Sequence, residues 1–240
     1  MKHQLFSYAI LILSLSTCNA AHLIGATSFM IAPCTNKLVE INSAANLTVL
    51  NETFDTCPWH VNSATLDKHE GLFYVLRRHG VDASPLYITK YYAKNGKELS
   101  HKVLSDPTVN SLNAVWFDHD FQKIVCILLN ETTAHWTTTL IDPDTGIIEE
   151  ALDLHKLSNI GAFDMAFSGY DEEKKILYQV VGTHNSDLTL LSINVKDPSK
   201  SAVTYLTNKQ GFGGNFLMAP TFHNGNLIGF LTNLTIAKFE

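Results

Sequence analysis

Hydrophobic residues fall in short runs separated by polar turns, and this arrangement recurs along most of the chain. Four polar turns begin at Asp67, Asp118, Asp171 and His223, which sets a period of about 52 residues. Each turn is followed by an apolar run of strand length, such as Ile124–Leu128, rich in β-branched residues. The pattern therefore predicts β-strands throughout.

Each full repeat contains four predicted strands, and the third repeat shows the layout. A first strand, Ala114–Phe117, precedes the polar turn, and Ile124–Leu128 and Trp136–Leu140 follow it. A second turn at Asp142–Gly146 carries the Pro and Gly that special turn angles require, and a last strand ends near Leu154. The second and fourth repeats are built in the same way.

The two ends of the chain depart from the four-strand unit. The first repeat supplies three strands between His22 and Leu50, and the last repeat stops at Glu240 before its fourth strand. About 18 strands result. They fit a five-blade ring closed in an unusual way, a four-blade ring with a spare hairpin, or an open arc with unpaired edges. Two packed sheets would also suit regularly spaced strands.

Four antiparallel strands per repeat are typical of a β-propeller blade. The layout of strand, turn, strand, Asp-X-X-Gly turn and strand resembles the YVTN and SMP-30-like propellers over about residues 22–240. The resemblance rests on spacing, without a WD or kelch motif, and identifies no specific family. It implies an all-β fold of about five blades, with a β-sandwich as the alternative.

The amino terminus has the three parts of a secretory signal peptide. A polar start at Lys2 is followed by the apolar stretch Tyr8–Leu15, and small residues at Cys18 and Ala20 precede the expected cleavage point. A retained membrane anchor is disfavoured, because about eight apolar residues are far fewer than the roughly 20 that span a bilayer. We expect residues 1–20 to be removed and residues 21–240 to form one secreted, extracellular domain.

Secretion changes how the cysteines and asparagines are interpreted, because disulfides form outside the cytosol. Cys34 and Cys57 lie in loop-like sequence and are predicted to form a disulfide. Cys126 lies in an apolar run and is predicted to be a buried, unpaired thiol. The alternative is that all three are free thiols. Four Asn-X-Thr motifs are candidate glycosylation sites. They are Asn46, Asn51, Asn130 and Asn233.

Composition narrows the class of partner. Hydrophobic residues make up 45% of the chain, which indicates an ordered globular protein. Lys and Arg total 17 against 23 Asp and Glu, and no basic patch is present, so nucleic acid is not an expected partner. After the amino terminus, no apolar run is long enough to predict a membrane span.

Catalytic motifs are scarce. The chain contains no Gly-X-Ser-X-Gly elbow and no His-Glu-X-X-His pair. The glycine-rich segment Gln210–Asn215 is not followed by the helix that a phosphate cradle requires, and the histidines show no ligand spacing. Asp118, His119 and Asp120 form the densest polar cluster, but three consecutive side chains point in different directions, which disfavours a metal site.

The geometry of a propeller offers a different candidate site. The innermost strands line the central channel, so polar residues at their starts would come together in one funnel. Oxygen ligands there could hold calcium or hydrogen-bond a sugar or peptide. The alternative is that these side chains only cap turns. The candidate residues are His60, Asn62, Asn110, Asn113, Asp164 and Asn215.

Two functions follow from this interpretation. The first is a secreted glycoprotein that acts as a non-catalytic binding or adhesion module through one propeller face, with an extracellular protein, peptide or glycan as its partner. The second is a metal-dependent secreted hydrolase, lactonase- or esterase-like, as the SMP-30-like resemblance implies. Asp164 is the only carboxylate in the funnel, which favours binding and predicts no cofactor beyond calcium.

Overall fold

We analysed a computed structural model of the 240-residue chain. It describes residues 23–29, 35–41, 46–54, 64–78, 85–130, 132–157, 160–162, 168–183, 188–206, 216–223, 226–231 and 236–239. The described residues are arranged as β-strands, tight turns and two short 3-10 turns, Leu154–Lys156 and Pro198–Lys200. In this part of the chain, no helix is long and apolar enough to span a membrane.

Within the described residues, five antiparallel sheets follow one another in chain order. The first sheet contains β1 (Leu23–Phe29), β2 (Thr35–Ile41) and β3 (Leu47–Phe54). The second contains β4 (Ala64–Asp67), β5 (Leu72–Arg78), β6 (Leu86–Tyr92) and β7 (Lys97–Val103). The third contains β8 (Val109–Asp118), β9 (Lys123–Asn130), β10 (His135–Ile141) and β11 (Ile148–Asp153).

The remaining two sheets have the same consecutive antiparallel order. The fourth contains β12 (Ile160–Ala162), β13 (Ser168–Asp171), β14 (Ile176–Thr183), β15 (Leu188–Asn194) and β16 (Ala202–Leu206). The fifth contains β17 (Phe216–His223), β18 (Asn226–Leu231) and β19 (Ile236–Phe239). The predicted all-β fold is confirmed, including the three-stranded first and last sheets. The fourth sheet differs in one detail, because its first strand is split into β12 and β13, which both pair with β14.

A buried aspartate ends the first strand in three of the sheets and explains the repeat period. The side-chain Oδ1 of Asp67 accepts hydrogen bonds from the His69 and Glu70 N–H groups at 2.9 and 3.3 Å. Asp118 and Asp171 accept from the amide three residues later, at 2.9 and 3.0 Å. Each aspartate thus closes the turn into the second strand.

The last residue of these turns adopts a left-handed backbone conformation in every case. It is Gly71 in the second sheet, Gln122 in the third and Lys175 in the fourth, with φ of 64°, 53° and 57°. The turn geometry therefore does not depend on glycine, and the residue at this position is available for other contacts. Lys175 occupies this position in the fourth sheet, and its side chain reaches the third sheet.

The described chain divides into two compact units. The first holds residues up to 110 together with 142–147, and the second holds 111–141 together with 148–240. The core of the first unit packs Phe73 and Tyr91 of the second sheet against Leu50 of the first. The core of the second unit lies between the third and fourth sheets, where Ile127 and Leu177 are fully buried.

The turn 142–147 between β10 and β11 is held firmly within the first unit. The Ser105 N–H donates to the Gly146 carbonyl oxygen at 2.9 Å, and Lys90 Nζ donates to Asp144 Oδ1 at 2.5 Å. Gly146 has a φ of +77°, and a Cβ atom there would overlap the carbonyl oxygen of Val103. Only glycine suits both the backbone angle and this close approach.

Candidate functional site

Two of the six predicted funnel residues lie on described backbone. Asn110 and Asn113 both belong to β8, which is an edge strand of the third sheet. The other four lie outside the described residues, so the grouping of all six stays a prediction. These four are His60, Asn62, Asp164 and Asn215.

Some of the predicted cysteine and glycosylation positions also lie within the described residues, and others do not. Cys126 is fully buried and unpaired, as predicted, and burial raises the pKa of its thiol to about 12 despite a 3.2 Å contact with the Thr139 hydroxyl. Asn46 is exposed, Asn51 lies on β3, and Asn130 is the last residue of β9. Asn233, Cys34 and Cys57 lie outside the described residues.

The polar cluster around Asp118 is a structural ion-pair network within the second unit. Asp118 is fully buried, and Lys175 Nζ lies 2.9 Å from both of its carboxylate oxygens. The same ammonium lies 2.8 Å from Asp120 Oδ2 and 5.0 Å from the centre of the Phe121 ring. A lysine from the next sheet thus supplies the cation that these two carboxylates bind.

Tyr170 of β13 and Glu172 of the turn that follows it also contribute to this network. The Tyr170 hydroxyl donates to Asp118 Oδ2, and Glu172 Oε1 accepts from the His119 N–H at 2.7 Å. Burial and the Asp118 carboxylate both raise the pKa of Tyr170. Burial alone would lower the pKa of Lys175, but its hydrogen bonds and the charges of its two partners raise it. The network thus favours a protonated Tyr170 hydroxyl and a charged Lys175 ammonium.

A second cluster, which we call the His-Asp-His cluster, consists of His135, Asp153 and His155. His135 Nδ1 lies 3.0 Å from Asp153 Oδ2, and His155 Nδ1 lies 3.6 Å from Asp153 Oδ1. The two imidazole rings stack with centroids 4.5 Å apart and planes inclined by 22°. Two imidazoles and a carboxylate therefore converge in one place.

The local fold explains why these three residues meet. Thr137 of β10 pairs with Asp153 of β11, and His135 lies two residues earlier, on the same face of the sheet. Asp153 also caps the 3-10 turn, where its Oδ1 accepts the His155 N–H at 3.0 Å. The cap fixes the carboxylate and directs the following histidine back towards it.

The electrostatics of the cluster keep its carboxylate ionised. Burial alone would raise the pKa of Asp153, but hydrogen bonds from His155 and His135 and the charges of both rings hold that pKa below its ordinary value. Because an ionised carboxylate only accepts hydrogen bonds, His135 Nδ1 carries the proton between them. The Nδ1 atom of His155 is buried and has no hydrogen-bond partner among the described residues.

The histidines show no ligand spacing along the sequence, and the structure nevertheless brings two of them to one carboxylate. Local spacing conceals the cluster because its members come from two strands joined by a turn. The Asp-X-His segment at Asp153 is a weak signal of a ligand pair. The sequence does not show that His135, at the start of the preceding strand, lies beside this pair. The strand register brings His135 to Asp153.

Comparison with known proteins places the fold among the β-propellers. No family model matches the chain, and no curated protein matches it by sequence. The oligogalacturonate lyase of Vibrio parahaemolyticus superimposes with a TM-score of 0.56 at 10% identity, over 90% of this chain and 61% of that one. The Dos1 propeller superimposes with a TM-score of 0.50 at 12% identity, over 87% of this chain and 50% of that one.

A third similar structure is the exo-β-1,3-galactanase of Phanerochaete chrysosporium, with a TM-score of 0.53 at 8% identity. It is matched over 94% of this chain and 56% of its own length. The chain therefore spans about half to three fifths of the length of these structures. At such low identity the likeness establishes the propeller fold and identifies no specific family.

Proposed function

We propose that the chain is a secreted glycoprotein that acts as a binding module through one face of a β-propeller. Its partner would be an extracellular protein, peptide or glycan, recognised by polar residues at the starts of the first strands. Calcium is the cofactor that we propose for such a set of oxygen ligands.

The observation that carries this proposal is the structural role of the aspartates at the carboxyl ends of the first strands. There Asp67, Asp118 and Asp171 are at most 5% exposed, and each is engaged by backbone amides of its own turn. Asp118 is further occupied by Lys175. These polar groups serve the fold, so ligand recognition is better sought towards the opposite, starting end, where Asn110 is the second residue of β8 and Asn113 the fifth.

The geometry at Asn130 supports the glycoprotein part of the proposal. Its side-chain oxygen accepts the N–H groups of Thr132 and Thr133 at 3.0 and 3.1 Å, in an exposed turn. A glycan would attach to the amide nitrogen and leave these two hydrogen bonds intact. Asn46, which is also exposed, offers a second acceptor.

Expression in a eukaryotic secretory host tests the cellular part of the proposal. We expect the protein in the medium with Ala21 as its first residue and a loss of mass on enzymatic removal of N-glycans. Peptide mapping without reduction should join Cys34 to Cys57 and leave Cys126 unmodified. A cytosolic product that retains Met1 would overturn secretion, and three alkylatable thiols in the native protein would overturn the disulfide.

Screening on glycan and extracellular-protein arrays tests the binding part. We expect the double variant Asn110→Ala/Asn113→Ala to lose at least tenfold in affinity for any partner found. Lys102→Ala, at an exposed position on the outer strand β7, should bind as the wild type does. Equal affinity of both variants would place the partner elsewhere. Metal-dependent turnover of lactones or esters would favour the hydrolase instead.

A further inference from the structure

We propose that the His-Asp-His cluster is a binding site for a divalent transition metal of the zinc class. The inference is independent of the binding function above, because the cluster lies at the start of β10 and the end of β11 and includes no residue of a first strand. It rests on the geometry, ligand chemistry and exposure of His135, Asp153 and His155.

The spacing of the ligand atoms suits a metal of this size. Zinc bonds of about 2.0–2.1 Å in a tetrahedral arrangement set neighbouring ligand atoms about 3.3 Å apart. His135 Nδ1 lies 3.0 Å from Asp153 Oδ2 and His155 Nδ1 lies 3.6 Å from Asp153 Oδ1, so each imidazole is near this spacing from one oxygen of the same carboxylate. All ligating atoms of the cluster lie within 4.8 Å of one another. The ligand atoms are therefore near enough to enclose an ion once the imidazole rings rotate.

The types of ligand select the metal. Calcium takes six to eight oxygen ligands, whereas two imidazoles with one carboxylate suit zinc and its neighbours in the first transition series. The carboxylate supplies negative charge, and the Nδ1 of His155 is a buried nitrogen with no hydrogen-bond partner among the described residues. In the metal-bound form, the ion would replace the proton that His135 now shares with Asp153.

The protein holds one ligand rigidly and leaves the others able to adjust. Asp153 is fixed by the backbone hydrogen bond from His155 and by its place in the β10–β11 pair. The imidazole planes must turn out of their stacked arrangement to point at a common ion, and the χ2 angle of histidine permits this because its energy well is broad. The His135 side chain is 48% exposed, which gives an ion access from solvent and leaves a position for water.

Metal titration of the folded, full-length protein tests the site. With cobalt(II) as the probe, we expect one equivalent to bind and to produce the visible absorption of a low-coordinate site, which zinc chloride then abolishes. Zinc should also raise the melting temperature as its concentration increases, because the assembled site of the folded state binds it more tightly than the unfolded chain does. Folded wild-type protein that binds neither ion would overturn the proposal.

Variants identify the ligands. His135→Ala, His155→Ala and Asp153→Asn should each lose at least tenfold in cobalt affinity, while circular dichroism shows the strands retained. His69→Ala, an exposed histidine in the turn after β4, is the matched control and should bind as the wild type does. Asp164→Asn and excess calcium should leave cobalt binding unchanged. Undiminished binding by the His135→Ala/His155→Ala double variant would overturn the assignment.

Discussion

Lys175 shows how much of the packing between the third and fourth sheets depends on one side chain. Its side chain is 9% exposed, and its ammonium lies between the buried carboxylate of Asp118 and the exposed carboxylate of Asp120. A buried ion pair contributes little net stability over an apolar pair, but removing one partner leaves an uncompensated buried charge. The cost of losing Lys175 should therefore far exceed that of losing a surface lysine.

We expect Lys175→Met to lower the free energy of unfolding by about 3–5 kcal/mol, because the carboxylate of Asp118 loses its cation. Lys200→Met is the control, since Lys200 is 72% exposed and pairs with Asp197, whose side chain is 40% exposed. It should cost less than about 1 kcal/mol. Urea denaturation measures both, and similar costs for the two variants would contradict this account.

The pKa of Tyr170, raised by burial and by Asp118, predicts a loss of stability at alkaline pH. A folded-state pKa above the unfolded value of about 10 means that the folded protein holds the proton longer. The stabilisation is complete below about pH 10 and declines as the pH rises above it. Tyr170→Phe should therefore flatten the decline by up to about 1.4 kcal/mol per pH unit. Identical slopes in urea denaturation between about pH 9 and pH 11 would contradict this role.

At the scale of the element, the turns were more predictable than the contacts they make. The period from Asp67 to Asp118 to Asp171 is visible in the sequence because each aspartate performs the same local task. The split between β12 and β13 has no such signal. The contact between Lys175 and Asp118 has no sequence signal either, because a contact between repeats does not change the local alternation of hydrophobic residues.

The two candidate sites also differ in how far they could be predicted from the sequence. Asn110 and Asn113 were found by asking where a repeated strand begins, which is a question of sequence period. The pairing of His135 with Asp153 depends on the register between β10 and β11, including an irregularity between Thr138 and Thr139. Register across a hairpin is set by packing and turn geometry, so local residue spacing does not reveal it.

Two glycines in turns provide a matched test of the element-scale account. Gly146 combines a φ of +77° with a close approach to the Val103 carbonyl, whereas Gly71, with a φ of +64°, has open space where a Cβ would lie. Gly71→Ala should cost only the left-handed backbone penalty of about 1–2 kcal/mol. Gly146→Ala should cost clearly more, because the turn must also move away from β7. Equal losses on thermal or urea unfolding would show that the close approach carries no weight.

At the scale of the whole molecule, a propeller fold is combined with a proposed binding face at the starts of the first strands. The five sheets follow one another in chain order, and the solved propellers they resemble have the same fold at 8–12% identity. A fold shared at that level accommodates many functions. The proposal therefore depends on whether residues from different sheets surround one opening.

Distances between pairs of spin labels test this central claim most directly. Labels attached through a non-natural amino acid at Asn62, Asn113 and Asp164 leave the native cysteines untouched. We predict that their mutual distances, measured by pulsed electron resonance, are shorter than the distance between labels on the outer strands, at Leu99 and Tyr205. Distances among the three inner positions as long as that outer distance would contradict the claim.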